Sequence, residues 1–489
     1  MCTIVGTYDS GGDSFRIAFS SREIDVLVDC GQIQWTAKGD KAMKLTRRGL
    51  FLTGAAVLLP RINPAAGPPA NLITLSPKPR DLEMPVEGFI DEITPVEHFF
   101  VRCHTMVPQI KLSEWKLEIA GLVDRPLTLT LDDLKKLPRV ELVSVLECAG
   151  NGRSFFQPQV AGAQWRFGGV GNAHWGGVRL TDVLERAGVR PAATQLLLDG
   201  ADVPFVKMPK FQRTLEARKA MHADTLLAWE MNGKPLTPDH GFPLRVIVPG
   251  WASDSWIKWL TRIELLDHDF DGFWMKSAYR HPAQRVAPGT AVDPKDMIPV
   301  TDLNVKSMIA SPGDWAPPGA IAVQGVAWSN ASPVAKVEIS ADGGKTWSHA
   351  NLPGKPTKYG FRKFAYTWSA AEGQYTLMSR ATNEAGQSQP LEPEWNPNGY
   401  LYNAAQPRAI TISKIRPASI APLEAPTQPV PNGYKAACLV CHDEHMMRQQ
   451  RLTRAQWDRE VTKMTGWGAV VTPEQRNGLL DYLSASYKP

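Results

Sequence analysis

Long apolar runs are missing from this 489-residue chain, and even Leu50–Leu59 is too short to cross a bilayer as a helix. That excludes a membrane span in the mature chain. Runs of basic residues are missing too. Fifty-four Lys and Arg face 49 Asp and Glu, and a net charge of +5 scattered in this way argues against nucleic acid as a partner. No internal repeat is present, which excludes a repeat array. Cysteine is scarce, at six residues (Cys2, Cys30, Cys103, Cys148, Cys438 and Cys441), so the chain is no disulfide-built scaffold. Proline (40) and tryptophan (16), by contrast, are plentiful and suit irregular loops and β-rich domains better than a helical bundle. The length allows two or three globular domains.

Residues 1–42 show neither an apolar period nor a targeting pattern. Met43 then opens Lys44-Leu45-Thr46-Arg47-Arg48, followed by the apolar run Leu50–Leu59 and by small residues and prolines from Pro64 to Ala70. Charged, apolar and small-residue regions in that order read as a twin-arginine export signal. A short buried helix behind two chance arginines is the alternative. The export reading makes 1–42 an upstream extension, 43–70 the signal, and the mature protein periplasmic. Signals of this type export folded proteins, often with a cofactor already inserted.

The remainder divides by pattern. Residues 71–299 mix helix and strand signals. Trp115–Ala120 alternates like a strand, Thr130 caps a short helix to Leu137, and Leu180–Ala187 is a helix stopped by Gly188. Residues 300–410 carry short alternating runs with a hairpin turn at Asp342-Gly343-Gly344, which suggests an immunoglobulin-like β-sandwich. Residues 411–431 are proline-rich and read as a linker. Residues 432–489 are helical, with capping-box patterns at Thr453/Gln456 and Thr472/Gln475. The fold class expected is α+β, then a sandwich, then a small all-α domain.

Two cysteine motifs carry chemistry. Cys438-Leu439-Val440-Cys441-His442 is the CxxCH pattern of covalent c-type haem attachment. Two thiols one helical turn apart can each reach a porphyrin vinyl group, and His442 then faces the iron. A redox cysteine pair or half a zinc site would look similar, but no second pair follows. Met464 is the candidate second axial ligand, with core packing as its alternative. The segment is similar to a small class I cytochrome c, and its shortness means it should lean on the rest of the protein. The other motif is Cys148-Ala149-Gly150-Asn151-Gly152-Arg153, at the end of the strand-like run Val140–Leu146. Glycines let the backbone turn tightly, and a thiolate near an arginine is a soft metal ligand. Packing and ligation fit this segment equally well by itself.

Four further segments accompany that loop in order: Phe99-Phe100-Val101-Arg102-Cys103-His104, Ala173–Leu180, Asp239-His240-Gly241-Phe242-Pro243-Leu244-Arg245, and Lys258-Trp259-Leu260. The set, over roughly Leu72–Asn403, closely resembles the sulfite oxidase family of molybdenum enzymes, in which the sandwich is a dimerisation domain. The resemblance implies that Cys148 binds molybdenum beside a pterin dithiolene. It implies that Phe100, Val101, Arg102, His104, Asp202, His240, Arg245 and Lys258 hold the molybdopterin and its phosphate. It further implies that Arg102, Arg153 and Tyr279 face a small oxyanion. Three departures stand out. Cys103 replaces the asparagine usual in the family. No arginine stands near Asn398, where animal sulfite oxidases have one. The expected haem domain is C-terminal and c-type, not an N-terminal cytochrome b5.

Together these readings lead to a periplasmic sulfite dehydrogenase with molybdenum-molybdopterin and haem c. It would take sulfite or a similar oxyanion and pass electrons to an external cytochrome c, with a homodimer implied by the sandwich. One rival is a family member acting on sulfane sulfur, nitrate or a sulfoxide; Arg102 with Tyr279 favours sulfite. The other is a non-catalytic electron-transfer protein, against which an intact Cys148 speaks.

Overall fold

The computed structural model describes residues 72–417 and 428–489, with the backbone of five short strands among the first 44 residues. The chain divides into two units, Met1–Pro68 and Pro69–Pro489. In the first, the strands Val5–Tyr8, Ser14–Phe19, Arg22–Asp29, Gln32–Ala37 and Met43–Lys44 form an antiparallel meander. No apolar period in 1–42 points to these strands. The twin-arginine and apolar segment at 45–70 lies outside the described residues.

The larger domain of the second unit is built on two main sheets around one apolar core. One runs Leu127–Leu129, Leu117–Gly121, Leu260–Leu266, Gln195–Gly200, Gln212–Glu216 in spatial order, antiparallel except where Leu260–Leu266 lies parallel to Leu117–Gly121. The other pairs Val140–Glu147 with Val170–Arg179 over all eight residues, then continues through Leu226–Met231. Val140–Glu147 is half-covered at its start but buried on both faces over its last four residues. A strand buried on both faces reads as a continuous apolar run, which Val143–Leu146 supplies around Ser144. The run therefore ends inside the protein, and Cys148 follows it there. Trp165, Trp175 and Trp256 fill the surroundings and are almost wholly buried. Replacing such a residue by alanine costs about 3–5 kcal/mol.

The expected local signals are realised. Thr130 accepts from Asp133 N–H and caps the helix Leu131–Lys135, and Gly188 ends the helix Leu180–Ala187 in the left-handed region. The sandwich packs Lys306–Ser311, Gly319–Trp328 and Arg362–Ala370 against a second sheet that includes Val334–Ser340, Gly373–Asn383 and Arg408–Ile412. That last strand corrects the linker boundary. Thr411 and Ile412 pair with Gln374 and Gly373, and Ile410 and Ile412 are both in the sandwich core. The alternation Ile410-Thr411-Ile412 is the strand signal that the following prolines obscured.

The C-terminal segment folds as four helices, Tyr434–Cys438, Glu444–Arg448, Arg454–Gly466 and Pro473–Ser486, the last two with complete capping boxes. Their apolar side chains make a small core of their own, against which Ala161 of the larger domain packs. The segment leans on that domain elsewhere too: Trp467 packs on Phe273 at 5.3 Å, and Lys78 Nζ donates to Val440 O at 2.8 Å. Among the described residues, no helix is long and apolar enough to cross a membrane.

Candidate active site

Cys148 sits at the mouth of a turn that the sequence dictates. Its N–H donates to Gly169 O (2.7 Å), and Asn151 N–H returns to Cys148 O (2.8 Å). Glu147 accepts from Asn151 Nδ2 at 2.9 Å, Trp328 Nε1 at 2.7 Å and Lys306 Nζ at 2.5 Å. Gly152 has φ of 91°, and a Cβ there would lie 2.6 Å from the Tyr402 ring, so glycine is required twice over. Burial pushes the Cys148 thiol up to about 11, with Arg102 opposing. The free thiol thus stays protonated at neutral pH, and a soft metal would take the proton's place.

A cavity of roughly 500 Å³ opens in front of this sulfur. Its wall on the larger domain includes Arg102, His104, Cys148, Arg153, Tyr279, Asn398 and Tyr400, and no carboxylate among the described residues. Arg102 donates to buried Asp81 (3.1 Å) and to Cys103 O; burial works against its charge, but Asp81 holds its pKa above the ordinary value. Among the described residues Arg153 has no carboxylate partner. Its Nη1 donates to Ala163 O (3.1 Å), its Nη2 to Asn398 O (3.2 Å), and its guanidinium lies 5.1 Å over the Tyr400 ring. Tyr279 shares a 2.6 Å hydrogen bond with His104 Nε2. Burial pushes the phenol's pKa far up, and burial with the cations Arg102, Lys258 and Arg213 pulls His104 far down, so both groups are neutral.

A smaller cavity runs behind the first. Phe100, Arg102, His104, Asp202, His240, Arg245 and Lys258 all line it, together with Cys148. Val101 does not. It is buried instead in a small cluster with Cys103 and Trp259. Arg245 is fully buried, with Nη1 on His240 O (3.0 Å), Nη2 on Trp256 O (3.2 Å) and Nε unpartnered. Burial alone pulls it down to about 9. Lys258 Nζ donates to Asp239 O (2.9 Å) and Cys103 Sγ (3.2 Å), and burial lowers it as well. His240 is drawn down to about 4 by burial and then by these two cations, and burial raises Asp202 to about 6. Two buried cations bound only to carbonyls and a thiol call for an anion. The donor set therefore fits a pterin phosphate.

Cys103 and Cys148 are free thiols, as are Cys438 and Cys441. The last two face the larger cavity from the other side, with His442, Met446, Met447 and Met464. His442 is largely buried with Nδ1 unpartnered, and burial lowers its pKa, leaving a neutral ring. His445 instead turns to Asp443 at 2.8 Å. An apolar chamber with two thiols, an orphaned imidazole nitrogen and a thioether fits a covalently held haem.

Sequence reasoning missed several supports. Asp81 partners Arg102, and Tyr400 stacks on Tyr279 at 5.1 Å. Arg213 lies 5.3 Å over the Tyr279 ring and pairs with Asp254 at 2.7 Å. The one available signal was a charge, Arg213, in an otherwise buried strand stretch.

Family comparison agrees with this geometry. The model for the oxidoreductase molybdopterin binding domain matches residues 104–274, and that for the Mo-co oxidoreductase dimerisation domain matches 297–411. Chicken (Gallus gallus) sulfite oxidase is 33% identical over 371 residues, covering 70% of this chain and 79% of that protein. Human mitochondrial sulfite oxidase is 33% identical over 351 residues, 67% of this chain and 64% of its own length, so the chain spans a little under two thirds of that relative. The crystal structure of the sulfane dehydrogenase SoxCD from Paracoccus pantotrophus superposes with a TM-score of 0.61 at 28% identity, covering 70% of this chain and 88% of that one.

Proposed function

The chain belongs to the sulfite oxidase family of molybdopterin oxidoreductases, and on that premise we propose that it is a periplasmic sulfite dehydrogenase carrying its own c-type haem. The observation that carries this reading is the shared wall of Cys148, Arg102, Arg153 and Tyr279, which faces one cavity with no carboxylate among them.

The molybdenum–pterin group, when bound, supplies oxygen-atom transfer and takes up two electrons. Cys148 would hold the metal, and Arg245, Lys258, His240 and Asp202 would hold the pterin and its phosphate. A small dianion entering the larger cavity meets two guanidiniums, of which Arg102 is fixed by Asp81 and Arg153 by backbone carbonyls. Fixed donors of this kind orient an oxyanion without reorganising as it reacts. Tyr279, neutral and anchored to His104, adds a hydrogen-bonding group and no negative charge. Cys438, Cys441, His442 and Met464 would hold the haem, which supplies one-electron transfer to an external cytochrome c. The dimerisation-domain match supports a homodimer.

A second reading is favoured by one observation, the structural likeness to a sulfane dehydrogenase. Turnover separates the two. The purified protein should reduce cytochrome c with sulfite and not with a persulfide donor. Retained activity in Cys148→Ser, or purification without molybdenum, would sink the proposal. Cys441→Ala should lose covalent haem staining.

A further inference from the structure

The C-terminal helices are stitched to one short loop of the larger domain, residues 159–164. Gln450, itself buried, offers its side-chain amide to Gly162 as a neighbouring strand would. Gly162 N–H donates to Gln450 Oε1 (3.3 Å), and Gln450 Nε2 donates to Gly162 O (3.0 Å). Gln164 N–H donates to Gln449 Oε1 at 2.7 Å, while Gln449 Nε2 reaches Leu75 O at 3.0 Å. Gln456 Nε2 donates to Gln159 O at 3.1 Å. Three neutral amides thus satisfy the backbone of a loop that belongs to no sheet.

The same loop grips Arg153 from its other side. Ala163 O accepts from Arg153 Nη1, and Gly162, at φ of 118°, lies so close that a Cβ would come within 2.8 Å of that nitrogen. Where the loop goes, the guanidinium goes with it. Amides are suited to this place because they fix the backbone without bringing a second charge beside Arg153.

We propose that Gln449 and Gln450 are positioning residues for the anion pocket, so that the C-terminal segment sets the affinity for the small oxyanion by fixing Arg153 through residues 159–164. This rests on the reading of Arg153 as an anion-binding group. The segment therefore has a role in substrate binding that is separate from carrying electrons.

The test uses full-length Gln450→Met, Gln449→Met and the double variant, chosen because methionine keeps the size and loses the hydrogen bonds. Binding of sulfate, a stable dianion, is measured by isothermal titration calorimetry, beside KM and kcat for sulfite with cytochrome c. The expected result is a sulfate Kd and a sulfite KM raised about tenfold in the double variant, with kcat within about twofold of wild type. A fall in kcat with Kd and KM unchanged would overturn the proposal, because it would mean that the contacts serve electron transfer alone. If wild type turns over no sulfite but the variants still bind sulfate about tenfold more weakly, the positioning role stands and the sulfite reading falls. Should the Gln450 variant fail to fold, Gln449→Met keeps the Gly162 pair intact and reads the same quantities.

Discussion

Replacing Arg245 by methionine should destabilise the protein far more with its pterin group bound than without it. The guanidinium is 4% exposed and bonds only to two carbonyls, and burial holds its pKa down to about 9. That lies more than three units below a free guanidinium; at about 1.4 kcal/mol per unit, the buried charge costs about 5 kcal/mol. Its two charge-assisted hydrogen bonds return about 1.5 kcal/mol each. Its place 5.1 Å over Trp175 returns about 1 kcal/mol more. Methionine forgoes both cost and return but strands the His240 and Trp256 carbonyls, so the cofactor-free protein should lose on the order of 1–2 kcal/mol. With a phosphate in place the loss grows, because removing one partner of a buried ion pair costs about 3–5 kcal/mol. Urea unfolding followed by tryptophan fluorescence, on cofactor-free and loaded protein, measures both. If the variant were weakened equally in the two states, Arg245 would be an ordinary packing residue and the phosphate argument wrong.

Lys306→Met should cost about 3–5 kcal/mol, because it strands Glu147 in a place where the pair is 2.5 Å apart and almost fully buried. Adding Glu147→Gln should recover most of that in a double-mutant cycle, and additive losses would refute a coupled pair. Acid should weaken the cofactor-free protein through His240. With a folded pKa of about 4 against an unfolded value near 6.5, the unfolded chain binds more protons in that window. Stability is then full above about pH 6.5 and falls by about 3 kcal/mol on the way to pH 4. His240→Gln should reduce that slope, to which buried His104 also contributes, and an unchanged slope would assign it elsewhere. Tyr279→Phe should lower kcat/KM about a hundredfold. Its molybdenum content by elemental analysis should match wild type, so that a loss of metal would make Tyr279 a cofactor anchor instead.

Local features were legible in the sequence and distant partners were not. The helix Leu180–Ala187 carries its own stop signal at Gly188, and the strand Val334–Ser340 its own alternation, so neither needed tertiary information. The Cys148 turn and the larger cavity's arginines could be placed through the family's ordered motifs. Val101, unlike Phe100 and Arg102, does not line the smaller cavity, because membership of a motif says nothing about which way each side chain turns. Lys306, 159 residues from Glu147, and Gln450, 288 from Gly162, leave no local trace, because a lysine or glutamine is unremarkable until its partner is known. The boundary at Ile410 fell short because prolines after Ile412 outweighed two residues of alternation.

The guanidiniums in and behind the pocket divide by their counter-ions. Arg213, beneath Tyr279, is matched by Asp254 with both side chains 1% exposed, and Arg102 is matched by Asp81. Arg153 meets only carbonyls and the face of Tyr400. Arg102 therefore brings orientation with little net attraction, since Asp81 cancels much of its field. In the larger cavity, the guanidinium with no carboxylate partner among the described residues is Arg153, held in a cage that includes Gly150 and Gly162, where any side chain would collide with it. An entering oxyanion is the counter-ion that this arrangement omits, and a buried charge left in want of a partner selects strongly for one. Neutral ligands of the same size gain nothing there, so on the proposed reading discrimination for an anion would rest on Arg153, which has no carboxylate partner among the described residues.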